Sequence, residues 1–286
     1  MINFTKMVAT GNDFIMIDNR KGVVRERAEF ARRYCKRHFG IGADGVIFIE
    51  LTHDARRTTH DCSFRMRIFN PDGSEAEMCG NGARCAAVFA RRAGIAKKNN
   101  FSFQTLAGRI KASVAGQGAR IGMEGPAGIE LNKRITVAGV RKIIVHHINT
   151  GVPHAIVISG SGIDRLDLRK VAPPIRYNRA FPKGANVDFV QVLGRHKIKM
   201  RTYERGVEGE TLACGTGAAA SAVVSSLLGR ATSPVTVIVP GGMLKIDFKI
   251  SSTHDARPAR ATHDVYDLTL EGEARIVYKG ALSNEK

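Results

Sequence analysis

Asn70-Pro71-Asp72-Gly73-Ser74-Glu75-Ala76-Glu77-Met78-Cys79-Gly80-Asn81-Gly82-Ala83-Arg84 is the stretch on which the reading of the chain turns. Asn-Pro-Asp-Gly marks a turn. The small-residue run over 83–93 predicts a helix that stops at Gly94. Cys79 therefore stands at a helix N-terminus, where unpaired backbone N–H groups and the helix dipole favour a thiolate and a bound anion. Glu210-Thr211-Leu212-Ala213-Cys214-Gly215-Thr216-Gly217-Ala218 repeats the construction and runs into a second Ala-rich helix, closed near Gly229. Each of two reactive-looking cysteines thus precedes a Gly-X-Gly helix start.

Working outward from Cys79, residues 6–18 read as strand, turn, strand. A basic amphipathic helix follows over 24–38, then a tight loop at 40–45 and a strand over 46–51. The strand over 63–69 leads into the Cys79 motif, and short strands over 101–105, 109–114 and 119–124 come after its helix. The same steps then recur. Thr10-Gly11 reappears as Thr150-Gly151, and Arg67-Ile68-Phe69-Asn70 is answered by Arg201-Thr202-Tyr203-Glu204. The tract ending at Val46 is matched with the one ending at Val190, 144 residues on, and Cys79 with Cys214, 135 residues on. Met123-Glu124-Gly125 is echoed by Leu270-Glu271-Gly272. Matches in one order at a near-constant offset argue for duplication. The expectation is two similar halves, 1–124 and 125–271, with a cleft between them into which both helix starts face. The terminal strand (within 272–286) is expected to return to the first half.

Composition bounds the partners. Of 286 residues 43% are apolar, enough for a real core, and no apolar run reaches the length of a membrane span. The N-terminus lacks a signal peptide's apolar stretch. Five cysteines do not make a disulfide framework, so a reducing cytoplasm is the expected setting. The net charge of +18 invites a nucleic-acid reading, but no stacking aromatics interleave the basic residues, and nucleic acid is not expected as the partner. Thr52-His53-Asp54-Ala55-Arg56 with His60-Asp61 recurs as Thr253-His254-Asp255-Ala256-Arg257 with His263-Asp264. The spacing is not a zinc pattern, so solvated hairpin loops are expected there and no metal.

Two thiols on opposite sides of a cleft suit inversion at a carbon acid. One removes a proton from one face, the other supplies a proton to the opposite face, and no cofactor is needed. The helix N-termini lower the cost of the thiolate and offer backbone N–H groups to a substrate carboxylate. Cys35, Cys62 and Cys85 read as structural thiols.

The stretch 70–84 resembles the signature of the diaminopimelate epimerases. The likeness continues through 7–14, Phe39-Gly40-Ile41-Gly42-Ala43-Asp44-Gly45, Gly151-Val152-Pro153-His154, and Tyr203-Glu204-Arg205-Gly206 to Gly217. It implies an α+β fold of two pseudo-symmetric domains, each a mixed sheet rolled barrel-like around a central helix. It implies interconversion of LL- and meso-diaminopimelate in lysine and cell-wall precursor synthesis, without pyridoxal phosphate. Cys79 and Cys214 would be the two bases, with His154 and Glu204 assisting. Gly80, Asn81, Gly215 and Thr216 would receive the reacting carboxylate. Asn12, Asn70, Asn186, Glu204 and Arg205 would hold the substrate's other charged groups. Diaminopimelate and a second copy of the chain are the expected partners. The chain departs from some family members, which have Gln where Gly45 stands and Asn where Val152 stands, and 206–210 is one residue longer than the commoner spacing. The alternatives are a related racemase, such as one for proline, which usually has His after the first Cys-Gly, and a basic binding protein with idle thiols.

Overall fold

The computed structural model describes residues 1–52, 62–137, 141–253 and 262–283. The chain divides into two compact units, Met1–Gly122 with Glu271–Lys286, and Met123–Leu270.

The first unit runs β1 (Ile2–Ala9), β2 (Asn12–Asp18), α1 (Arg27–Tyr34), β3 (Gly45–Glu50), β4 (Cys62–Phe69), β5 (Glu75–Ala76), α2 (Gly80–Arg92), β6 (Asn100–Thr105), β7 (Gly108–Ala115) and β8 (Gly118–Gly122). The second continues with β9 (Ala127–Val137), β10 (Arg141–Asn149), β11 (Pro153–Ser159), α3 (Leu168–Val171), α4 (Pro173–Arg176), β12 (Asn186–Gly194), β13 (Lys197–Glu204), β14 (Gly209–Thr211), α5 (Gly215–Leu227), β15 (Val235–Val239) and β16 (Gly242–Thr253). β17 (Thr262–Glu273) carries the chain back towards the first unit's last strand, β18 (Arg275–Leu282).

β18 pairs antiparallel with β1, and the first sheet proceeds through β2, β3, β4, β6, β7 and β8. The β2–β3 and β4–β6 pairs are parallel and the rest antiparallel. In the second unit β9 through β13 pair in chain order, then β13 pairs with β15 and β15 with β16. There β11–β12 and β13–β15 are the parallel pairs, so the two sheets share one topology.

Each sheet curls around one helix. α2 touches β1, β2, β3, β4, β7 and β8, and α5 touches β10, β11, β12, β13, β15 and β16. A helix enclosed on all sides has no solvent face, so its sequence carries no polar stripe. Residues 81–90 of α2 and 217–225 of α5 are accordingly all buried. Small side chains let the strands close on the helix. A Cβ on Gly82 would lie 2.9 Å from Ile47 Cδ1, and one on Gly217 2.7 Å from Asp188 Oδ1. The second glycine of each Gly-X-Gly is therefore a close-approach position. Both helices end alike, at Gly94 and Gly229, whose φ angles are +70° and +68°.

The duplication reaches individual ion pairs. Arg67 grips Glu75 with two bonds of 2.7 and 2.6 Å, and Arg201 grips Glu210 with two of the same lengths. These forks tie β4 to β5 and β13 to β14, the hairpins that deliver the chain to Cys79 and Cys214. Taking Arg67 with Arg201, the register aligns Val46 with Val187, because Val46 faces Phe69 and Val187 faces Tyr203. The sequence match of Val46 with Val190 is thus three residues out of register; the uniformly apolar run after Asn186 allowed the slip.

α1 is shorter than the predicted 24–38. At its start, Val24 is bonded through both N and O to the Asn19 side chain rather than to a helical neighbour. At its end, the carbonyls of Tyr34 and Cys35 accept from Gly42 and Ala43. The hairpin β9–β10 and the short β14 were absent from the sequence expectation. The side chains of His53, His60, His254 and His263 lie outside the described residues. No helix among the described residues is long and apolar enough to cross a membrane.

Candidate active site

Both predicted cysteines are helix N-caps with extended backbone. Cys79 Sγ accepts from Gly82 N–H at 3.5 Å, and Cys214 Sγ from Gly217 N–H at 3.4 Å. The sulfur takes the place usually held by a Ser or Asp oxygen, leaving the amides of the residues that follow to another acceptor.

Around Cys79, the two-residue turn Thr10-Gly11 has positive φ at both positions, which suits a tight hairpin, and it sets Asn12 at the start of β2. Asn12 Nδ2 donates to Asp44 Oδ2 at 2.7 Å, and its Oδ1 faces Cys79 Sγ at 3.8 Å and Asn81 Nδ2 at 3.4 Å. Asp44 is anchored by Arg37 at 2.7 Å and by the Asp13 amide. Gly80 and Asn81 open α2 directly after the sulfur. Asn70 is held within its own turn, its Nδ2 donating to Ser74 Oγ at 2.9 Å. A Cβ on Gly45 would lie 2.9 Å from Phe69 O, so no side chain fits at that position.

Around Cys214 the site is denser and more charged. His154, at the start of β11, and Asp188, on β12, are both fully buried and meet at 2.6 Å through Nδ1 and Oδ2. Asp188 Oδ1 accepts from Thr202 Oγ1 at 2.7 Å. His154 Nε2 lies 3.0 Å from Thr216 Oγ1, which in turn lies 3.3 Å from Cys214 Sγ. A relay of Asp188, His154 and Thr216 thus ends at the sulfur. Asn186 Oδ1 accepts from the Arg205 backbone N–H at 2.8 Å, and Arg205 Nη1 donates to Lys183 O at 3.0 Å, so Arg205 is held once at its backbone and once at its guanidinium.

Burial pushes the Cys214 thiol well above its usual range, and the charges of Glu204 and Asp188 add to this; the Thr216 hydroxyl and Gly217 N–H pull the other way without prevailing. The helix start was expected to favour a thiolate at each cysteine; at Cys214 desolvation outweighs the bonds that the helix start supplies. Burial also raises Glu204 above the ordinary carboxyl range, against the pull of Cys214 and Thr211 beside it. Burial is the main cause that pushes Cys35 up to about 11 and Cys85 up to about 12, which keeps both inert.

Two residues that sequence reasoning passed over belong here. Asp188 completes the relay, and Arg84, fully buried, donates through Nη2 to Thr10 Oγ1 at 2.6 Å and Asn81 Oδ1 at 2.9 Å.

Solved structures place this architecture in a class. A Bacillus anthracis phenazine biosynthesis protein of the PhzF family superposes with a TM-score of 0.68 at 15% identity, covering 98% of each chain. A probable proline racemase from Agrobacterium radiobacter K84 superposes at 0.63 and 14% identity, covering all of this chain and 94% of that one. The fold is that of two-domain α+β proteins among whose solved members are racemases and epimerases. Sequence narrows it further. The profile of the diaminopimelate epimerases matches residues 4–129 and 146–259. Diaminopimelate epimerases of Methanocella arvoryzae and Aquifex aeolicus are 43% and 41% identical, covering 98% and 99% of this chain and 96% and 99% of their own. The chain belongs to the diaminopimelate epimerase family.

Proposed function

We propose that this protein interconverts LL- and meso-2,6-diaminopimelate, a step of lysine and peptidoglycan precursor synthesis, by proton transfer between the α-carbon and two protein thiols. Cys79 and Cys214 are the proton carriers: one thiolate takes the substrate's α-hydrogen from one face, the other thiol delivers its own to the opposite face, and no cofactor is required. The observation that carries this reading is the twofold occurrence of a cysteine as N-cap of a buried helix, its sulfur accepting from the amide three residues on.

The geometry supports definite roles. The amides of Gly80 and Asn81, and of Gly215 and Thr216, offer the α-carboxylate a site that strengthens as charge grows on loss of the α-hydrogen. Glu204, raised by burial and hydrogen-bonded to Cys214, is placed to exchange a proton with that thiol. His154, oriented by Asp188, acts on Cys214 through Thr216. Arg205, pinned by Asn186 and Lys183, presents a fork for the carboxylate that does not react. Asn12, Asn70 and Asn186 complete the polar lining. The protein works in the cytoplasm as a homodimer.

Purified protein given LL-diaminopimelate and no cofactor should form the meso isomer, and Cys79→Ala and Cys214→Ala should each abolish this. Inversion by either variant at a near-native rate would refute the reading.

A further inference from the structure

The two cysteine sites are built on one plan and charged in opposite senses. Counting from the cysteines, Gly80, Asn81, Gly82 and Arg84 correspond to Gly215, Thr216, Gly217 and Ala219. Arg84 and Ala219 are both fully buried. The floors differ as well. Ile47 faces Ile68 in the first unit, and the equivalent pair in the second is Asp188 facing Thr202. Gly82 packs on the two isoleucines, Gly217 on the Asp188 carboxylate and the His154 ring. Behind Cys79 lies a cation on an apolar floor, and behind Cys214 lie two carboxylates, Asp188 and Glu204.

We infer that Arg84 is a positioning residue for Cys79, holding its helix start and supplying the positive charge that makes Cys79, not Cys214, the thiolate of the resting enzyme. This rests on the two-thiol reading above. Among the described residues the guanidinium bonds to neutral groups, Thr10 Oγ1, Asn81 Oδ1 and, at 3.3 Å, Gly80 O, and its Nε has no partner. Among the described residues no carboxylate pairs with it. A buried cation without a counter-charge is costly, and a neighbouring thiolate relieves that cost. Burial draws Arg84 down to about 10, so it is still charged at neutral pH. Its thiol neighbours are Cys85 and Cys79; burial keeps Cys85 protonated, at about 12, which leaves Cys79.

The described neighbours of Cys79 do not reverse this. From β2, the Asn12 carbonyl oxygen opposes a thiolate, but it is a neutral dipole 3.8 Å away. Asp13 is paired with Lys6 at 2.8 Å and Arg37 at 3.0 Å, and Asp44 with Arg37 at 2.7 Å. Glu77, two residues before the sulfur, is exposed and screened by water. From α2 come Gly82 N–H, which donates to the sulfur, and Arg84 itself.

The test is peptide-resolved alkylation of the full-length protein by iodoacetamide across pH. Cys79 should show a midpoint about one pH unit or more below that of the same cysteine in urea-unfolded chain. In Arg84→Met, of similar length but uncharged, the midpoint should rise by about one unit, an approximately tenfold slower alkylation at pH 7. In the same variant kcat should fall about tenfold with KM held within about twofold. Arg84→Lys, which keeps the charge, should restore most of the shift. A native midpoint at or above the unfolded value overturns the inference. So does an Arg84→Met protein in which only KM moves, since the cation would then serve substrate rather than sulfur. If Arg84→Met does not fold, the native midpoint and Arg84→Lys decide. Turnover by Cys79→Ala would sink the two-thiol reading itself and leaves the alkylation midpoint of native Cys79 unaffected, so the two failures are distinct.

Discussion

Replacing Asp188 by Asn keeps the shape of the relay and removes its charge. The side chain is fully buried, with one oxygen on His154 Nδ1 and the other on Thr202 Oγ1. Its charge is one of the causes that hold the Cys214 thiol high, after burial and Glu204. The contacts from Asp188 through the His154 ring and Thr216 to the sulfur place the carboxylate no more than about 11 Å from Sγ. At an effective dielectric of about 20, a unit charge at that distance contributes roughly 1.5 kcal/mol, or about one pKa unit. The sign is fixed: an anion disfavours the thiolate, so its removal lowers the pKa. Peptide-resolved alkylation should show the Cys214 midpoint falling by about one unit in Asp188→Asn. Turnover should fall at the same time, because an amide no longer fixes the His154 tautomer as a carboxylate does. An unchanged or higher Cys214 midpoint in a folded variant would refute the electrostatic account of this site.

Other consequences follow from the same geometry. Gly217→Ala would place a methyl group 2.7 Å from Asp188 Oδ1 and 3.3 Å from His154 Cε1; we expect a loss of about 1–3 kcal/mol in denaturant stability together with loss of turnover. Arg205→Lys keeps the charge and loses the fork, so kcat/KM should drop about tenfold or more in steady-state assays. Burial alone would raise Asp13, but Lys6 and Arg37 outweigh it and its carboxyl lies below the usual range. A depressed carboxyl stabilises the fold above its unfolded pKa and loses that contribution as pH falls through the folded value. Asp13→Asn should therefore lower Tm by about 2–4 °C at pH 7, and by progressively less as pH falls below about 4.

The two helix starts were legible because their signals are local: a cysteine, two glycines and a run of small residues. Both α2 and α5 begin one residue after the cysteine, and both close at the expected glycine. Asp188 was not legible. It stands in Asn186-Val187-Asp188-Phe189-Val190, every residue of which is buried, so no alternation marks which side chains face the helix. The same uniformity allowed the repeat to be matched three residues out of register. Arg84 escaped notice for a different reason: one arginine in an alanine-rich helix reads as a solvent-facing charge, and only the closure of the sheet around α2 buries it. The cost of a thiolate at Cys214 depends on Glu204 and Asp188, brought in from β13 and β12, and no pattern within the Cys214 stretch encodes them.

The central claim is that two different side chains carry the proton on the two faces of the α-carbon. Inversion of LL-diaminopimelate in heavy water tests it most directly, with isotope content of substrate and product followed by mass spectrometry at early times. Two thiols require the meso product to carry deuterium at the inverted carbon from the first turnovers, while recovered substrate stays almost free of it, because the proton delivered comes from a thiol already exchanged with solvent. Meso product that retains the original hydrogen in a large share of early turnovers would mean one group serves both faces, and would contradict the account.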